Sequence, residues 1–171
     1  MPPFVEHNPD LARRRLLLAT PAWLSLAGCS QRVSAPPFEY TLLDGRQARS
    51  SELRGRVLLV NFWATSCVTC VAEMPNIVAL HERFKARGFE TLAVAMSYDP
   101  PVLVSNYAQS HQLQFGVVID NTGRIAKAFG DVQLTPTSFL INRQGGIVAH
   151  WTGAPDFAAL GRQVDGLLTE A

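Results

Sequence analysis

The sequence predicts an α/β domain, a central sheet with helices on both faces, from three observations. Residues 57–64, VLLVNFWA, are a near-continuous β-prone apolar run, as expected of a strand buried on both sides. Strand-like and helix-like segments alternate after it. The chain then closes with two strands around a QGG turn and an amphipathic helix, PDFAALGRQVDGLLTEA.

Taken in order, FEYTLLDGRQARSSELRG at 38–55 carries a DG turn between short alternating runs, which predicts an N-terminal β-hairpin. After the strand at 57–64, Met74, Ile77, Val78, Leu80, His81 and Phe84 recur at helical spacing. Gly88, following Lys85 and Arg87, marks that helix's end. FETLAVAMS at 89–97 reads as a second buried strand, PPVLVSNYAQSHQ as a helix opened by prolines, and FGVVID at 115–120 as a third strand. TGRIAKAFG supplies a short helix, and TSFLINRQGGIVAHWTG the closing pair of strands.

With 171 residues, 47% hydrophobic and 17% charged, the chain can bury one core. Its formal net charge of +1 and the lack of any Lys/Arg run longer than three argue against a nucleic-acid partner.

The first thirty residues have a different character. RRR at 13–15 precedes the apolar LLLATPAWLSL and then the small residues AGC at 27–29, the pattern of an export signal. The apolar run is 11 residues, short of the roughly 20 that span a bilayer, and Pro21 interrupts it. LAGC at 26–29 resembles a bacterial lipobox, in which the cysteine takes a lipid; the plainer alternative for Cys29 is a thiol near an ordinary cleavage site. The paired arginines also weakly resemble a twin-arginine signal. The expected organisation is therefore a lipoprotein-type signal over 1–28, a tether over 29–37 (CSQRVSAPP) and a domain over 38–171. Removing residues 1–28 takes away three basic and two acidic side chains, leaving a formally neutral remainder. Any anchoring would then fall to acyl chains through Cys29 and not to a basic patch.

Cys67 and Cys70 form a C-x-x-C pair where the buried strand gives way to the helix. At i and i+3 on a first helical turn, their sulfurs share a face within reach of a disulfide. Cys67 at the helix start is favoured as thiolate by free N–H groups and the helix dipole, so it is the candidate nucleophile. Cys70, a turn deeper, is the candidate resolving thiol. Zinc lacks further ligands in a fitting pattern, since the chain has no second C-x-x-C and no paired histidine motif among His7, His81, His111 and His150. As a staple the pair closes too short a loop to remove much chain entropy.

The segment VLLVNFWATSCVTCVAEMP, the later LTPTSFLI at 134–141 and the closing hairpin and helix resemble the thioredoxin superfamily, and within it the exported TlpA/ResA-type thiol-disulfide oxidoreductases. The resemblance covers roughly 36–168 and implies a thioredoxin-like fold: a central mixed sheet flanked by helices, an N-terminal hairpin and a strand-helix insertion within 98–120. It implies a cis peptide bond at Pro136, with backbone of Thr135 presented to a bound client chain. Glu73 matches the family's acidic residue after the second cysteine, a proton acceptor for Cys70; the alternative is a solvated glutamate serving the helix dipole. Asn61 stands where cytosolic thioredoxins carry a buried aspartate, and Pro75 is expected to remove one helical hydrogen bond. Trp63, Val68, Thr69 and Thr135 are the expected client-contacting residues. The inner pair Val68–Thr69 departs from the family, whose reductants usually carry proline before the second cysteine, so redox poise is not inherited. Couples of this fold span about −270 to −120 mV.

The resemblance implies protein thiol or disulfide clients, with cytochrome c maturation as one setting, and no cofactor beyond the Cys67–Cys70 disulfide. It also implies a membrane electron donor if the protein is a reductant, antioxidant or reducing activity, and a place in the bacterial periplasm or envelope. Two competing readings are a thiol peroxidase and a copper-handling module. Against the first, Ala64 stands where peroxidatic sites carry threonine; against the second, copper proteins of this fold space their cysteines by three.

Overall fold

The computed structural model describes residues 33–170. The expected export signal and Cys29 lie outside these residues. An antiparallel hairpin of β1 (Glu39–Thr41) and β2 (Gln47–Arg49) comes first, its turn held by Asp44, whose Oδ1 accepts the Arg46 N–H at 3.0 Å. Gly45 occupies the left-handed region there, at φ 85°, which glycine adopts without steric cost.

The main sheet contains β3 (Val57–Trp63), β4 (Phe89–Ala95), β5 (Gly116–Ile119), β6 (Thr137–Ile141) and β7 (Ile147–Thr152), in spatial order β5-β4-β3-β6-β7. Strands β3, β4 and β5 are parallel, which requires crossover helices, and α1 (Val68–Phe84) and α2 (Pro101–Ser110) provide them. Strand β6 runs antiparallel to β3, and β7 antiparallel to β6. The mixed thioredoxin-like sheet implied by the sequence is thus present. The insertion is α2 with β5, and α3 (Arg124–Ala128) and α4 (Phe157–Thr169) complete the chain.

Every residue of β3 is buried, and its alternation serves two cores. Val57, Leu59 and Trp63 pack with Met74, Ile77 and Phe84 of α1, Val104 of α2, and Leu160 and Val164 of α4. Leu58, Val60 and Phe62 face the other way, where α3 and the hairpin form the cover. There the Phe62 ring lies 5.5 Å from Phe129 and 6.0 Å from Phe139, edge to face, and Phe38 of the hairpin segment meets Phe129 at 5.5 Å.

The end of α1 follows the glycine signal read from sequence. A 3-10 turn over Lys85–Arg87 leads to Gly88 at φ 95°, and Asp156 caps α4 by accepting the N–H groups of Ala158 and Ala159 at 2.8 and 3.1 Å. Helix α1 continues through Pro75, whose missing N–H removes the i to i−4 bond to Val71.

The described part of the segment expected as a tether is bonded to the sheet. Ala35 N–H donates to the Gly145 carbonyl and Ile147 N–H to the Val33 carbonyl, both at 2.8 Å, with Ser34 bridged antiparallel to Gly146. Backbone groups at the start of edge strand β7 need partners, and this segment supplies them. Replacing Phe62 by alanine empties the centre of the second core and should cost about 3–5 kcal/mol in chemical denaturation.

Candidate active site

Strand β3 ends at Trp63, and Ala64–Ser66 form the turn into α1, closed by the Cys67 N–H donating to the Ala64 carbonyl at 3.1 Å. Cys67 is the N-cap of α1, with extended backbone, and its Sγ accepts the Cys70 N–H at 3.2 Å. This is the bond a capping serine oxygen would accept, made here by sulfur, and it favours a thiolate on Cys67 once the pair is reduced. Cys67 is partly exposed and Cys70 fully buried. The two are joined in a disulfide with Cα atoms 5.2 Å apart.

Facing the pair is the loop before β6. The Thr135–Pro136 peptide bond is cis, and the Thr135 carbonyl oxygen lies 3.6 Å from Cys67 Sγ. The disulfide sulfur carries no proton, so this is a contact; a Cys67 thiol could donate along the same line. Pro136 is buried, and its carbonyl accepts the Gly153 N–H at 2.8 Å, which ties the loop to the end of β7.

Behind Cys70 lies a buried polar group. Glu73 is only 3% exposed, and its Oε1 accepts from Asn61 Nδ2 at 2.9 Å; the same amide nitrogen donates to Ser138 Oγ at 3.0 Å. Burial pushes the Glu73 carboxyl above the usual carboxylate range, and the Asn61 bond pulls partly back. Glu73 Oε2 and Asn61 Oδ1 are buried with no partner. The solvated alternative for Glu73 is therefore corrected, because the inward face of α1 carries it under β3.

The four expected client-contacting residues divide. Val68 (84% exposed) and Thr69 stand out at the start of α1, and Thr135 is partly exposed beside Cys67. Trp63 is corrected: it is fully buried, with its ring 5.1 Å from Tyr107 of α2, and offers no surface to a client as placed. Exposed apolar surface comes instead from Val68, Leu134, Tyr98 and Leu103. Tyr98 reaches the loop before β6, with its hydroxyl 3.4 Å from Thr135 Oγ1. An open hollow of about 700 Å³ between the turn into α1, the segment after β4 and α2 is lined by Thr65, Ser66, Tyr98, Pro100, Leu103 and Tyr107.

Two contributors, Ser138 and Asp99, were not expected. Ser138 sits directly after the TPT of the recognised segment, so only its strand register against Asn61 assigns it a role. Asp99 lies 34 residues from its partner Thr65 and has no sequence signal. The Thr65 hydroxyl, two residues before Cys67, donates to Asp99. Among the described residues no three of His, Cys, Asp and Glu converge as a metal site would require.

Comparison with known proteins bears on this geometry. The Redoxin family matches residues 31–161. This chain belongs to that family. The ResA thiol-disulfide oxidoreductase of Bacillus subtilis is 34% identical over 124 residues, 72% of this chain and 68% of the relative. That of Geobacillus kaustophilus is 37% identical over 120 residues, 70% of this chain and 68% of the relative. Among solved structures, a thiol:disulfide interchange protein of the thioredoxin family from Chlorobium tepidum superposes with a TM-score of 0.74 at 28% identity, covering 81% of this chain and 98% of that one. The chain is a ResA-like redoxin and a thiol-disulfide oxidoreductase with a Cys67–Cys70 pair.

Glu73 generates a pH prediction. Its folded value lies above the unfolded one, so its contribution to stability is complete below the unfolded value near 4.5 and is lost as pH rises through the folded value. Glu73→Gln keeps the shape and removes the titration. Melting temperatures of the oxidised redoxin across pH 4 to 8 should fall with pH in the parent relative to the variant, the variant being the more stable at the upper end; parallel curves would contradict the assignment.

Proposed function

We propose that this redoxin is exported, anchored by lipid at Cys29, and reduces disulfides of particular protein clients in the bacterial envelope. The observation that carries the chemistry is the asymmetry of the pair: one sulfur is partly exposed on a helix cap, and the other is buried three residues before a buried carboxyl of raised affinity for protons. In the reduced redoxin, the Cys67 thiolate attacks one sulfur of a client disulfide and forms a mixed disulfide, and the other client sulfur leaves as a thiolate that takes a proton. Cys70 then loses its proton to Glu73 and attacks Cys67 Sγ, releasing the second client thiol and leaving the Cys67–Cys70 disulfide. Two electrons pass to the client, and a membrane dithiol donor must return them.

Thr135, beside Cys67 on the backbone before Pro136, presents its carbonyl to an extended client segment, and Val68 and Thr69 form the exposed rim. The boundaries that fit this reading are a signal over 1–28 and a lipidated Cys29 followed by a tether that ends where Val33 docks on β7. The similarity to ResA proteins supports the redox chemistry, and the lipobox resemblance supports the anchor. No helix among the described residues is long and apolar enough to cross a membrane. Cytochrome c maturation, in which an apoprotein C-x-x-C-H must be reduced, is the client setting the family likeness favours.

In cells expressing the full chain, Cys70→Ser should accumulate mixed disulfides with envelope proteins that vanish on reduction and in the Cys67→Ser, Cys70→Ser double variant. Cys29→Ser should move the protein out of the membrane fraction. Absence of any Cys67-dependent adduct would overturn the catalytic reading, and unchanged fractionation the anchor.

A further inference from the structure

Asp99 is 2% exposed, yet none of the ion pairs among the described residues includes it. Both of its oxygens serve one residue. Asp99 Oδ2 accepts the Thr65 backbone N–H at 2.6 Å, and Oδ1 accepts the Thr65 hydroxyl at 2.5 Å. Asp99 N–H in turn donates to the Met96 carbonyl, and Met96 N–H to the Trp63 carbonyl, so the turn after β4 is bonded back to the end of β3. Thr65 stands two residues before Cys67, inside the turn closed by the Cys67 to Ala64 bond.

Burying a carboxylate without a cation is expensive, and a neutral side chain could tie two loops together with less desolvation. What the carboxylate adds is a pair of short charge-assisted bonds that fix the peptide plane and the side chain of one residue together. That constrains the direction in which the chain enters α1, and hence whether Cys67 Sγ sits on the Cys70 N–H.

We propose that Asp99 is a positioning residue for thiol-disulfide exchange: through Thr65 it holds the turn that keeps the Cys67 sulfur on the cap of α1. It touches neither sulfur, and it belongs to the turn leading into the α2–β5 insertion, so the insertion supports the active-site turn. The proposal rests on Cys67 being the nucleophile. The titratable neighbours of this region are Cys70 and Glu73 on α1 and Tyr98 beside Asp99, while the β6 side brings Thr135 and Pro136, which do not titrate.

The experiment uses the reduced full-length chain and follows iodoacetamide alkylation of the Cys67 peptide by mass spectrometry from pH 4 to 9. Thr65→Val deletes the hydroxyl bond and leaves the carboxylate, whereas Asp99→Asn keeps the shape and deletes the charge. If Asp99 acts by positioning, both variants raise the pH of half-maximal alkylation by about half a pH unit, equivalent to about threefold slower labelling at acidic pH. Thr65→Ser should restore the parent curve. Lower melting temperatures with unchanged Cys67 curves would reduce the clamp to a structural strap and overturn the proposal. So would a lowered midpoint in Asp99→Asn alone, which is the mark of charge repulsion. Should Asp99→Asn fail to fold, the Thr65→Val and Thr65→Ser pair decides by itself. If Cys67 in the parent protein labels no faster than Cys70, the nucleophile assignment fails and the proposal falls with it, a result distinct from an unmoved midpoint in a chain whose Cys67 is reactive.

Discussion

The arrangement depends on β3 being buried on both faces and ending at the mouth of α1. All seven residues from Val57 to Trp63 are buried, and the strand is at the centre of the sheet, with β4 on one side and β6 on the other. The pleat then fixes what each neighbour receives. Asn61 shares its face with Leu59 and Trp63, so it must point at α1, where Glu73 meets it. Pairing with β6 sets Ser138 opposite Asn61 and brings Thr135 and Pro136 to the same end of the sheet as Cys67. One buried strand thus positions α1, β6 and the loop before β6 around two sulfurs.

Among the described residues, three of the four buried side-chain atoms without a partner lie on β3 and the first two turns of α1, the fourth being Arg143 Nε. Asn61 Oδ1, Trp63 Nε1 and Glu73 Oε2 are buried and unpaired, and each such atom costs about 1–3 kcal/mol relative to a satisfied one. They belong to β3 and the first two turns of α1, whereas the second core, with its aromatic cluster around Phe129, contains none of them. A chain selected for stability alone could fill the Asn61 and Glu73 positions with leucine and lose little. Their presence concentrates titratable and orientable groups where a proton must leave a buried thiol, which is the usual location of such departures from local consistency.

Much of this was legible in the sequence where signals are local. The 57–64 run, the DG turn, Gly88 and the C-x-x-C spacing each work over a few residues, and the observed hairpin, β3, α1 and its end follow them. Pro136 became readable through the TPT segment and the family likeness, not from its own chemistry. Glu73 was legible as a candidate, while its burial was not, because that depends on Asn61 lying across from it. The misses share one cause. Trp63 looked like a rim residue because it precedes the cysteines, but strand parity turns it inward beneath Tyr107, which lies in a helix 44 positions on. Asp99 and Ser138 act across 34 and 77 residues, and no local pattern announces a pairing made by sheet order.

The Val68–Thr69 dipeptide acts on the redox couple in a way its side chains do not reveal. Both side chains are exposed, and neither makes a hydrogen bond to the sulfurs, so their influence must come through the backbone. Thr69 occupies the second position of α1, where the family's usual proline would carry no N–H. Its N–H is one of the free donors at the helix start, and its presence adds positive potential beside Cys67, which stabilises the thiolate and moves the couple toward the oxidising end. Glu73, three residues after Cys70 on the same helix, opposes this once it is ionised, because a buried carboxylate disfavours a second negative charge nearby. The helix contribution does not change with pH, whereas that of Glu73 grows as its carboxyl ionises.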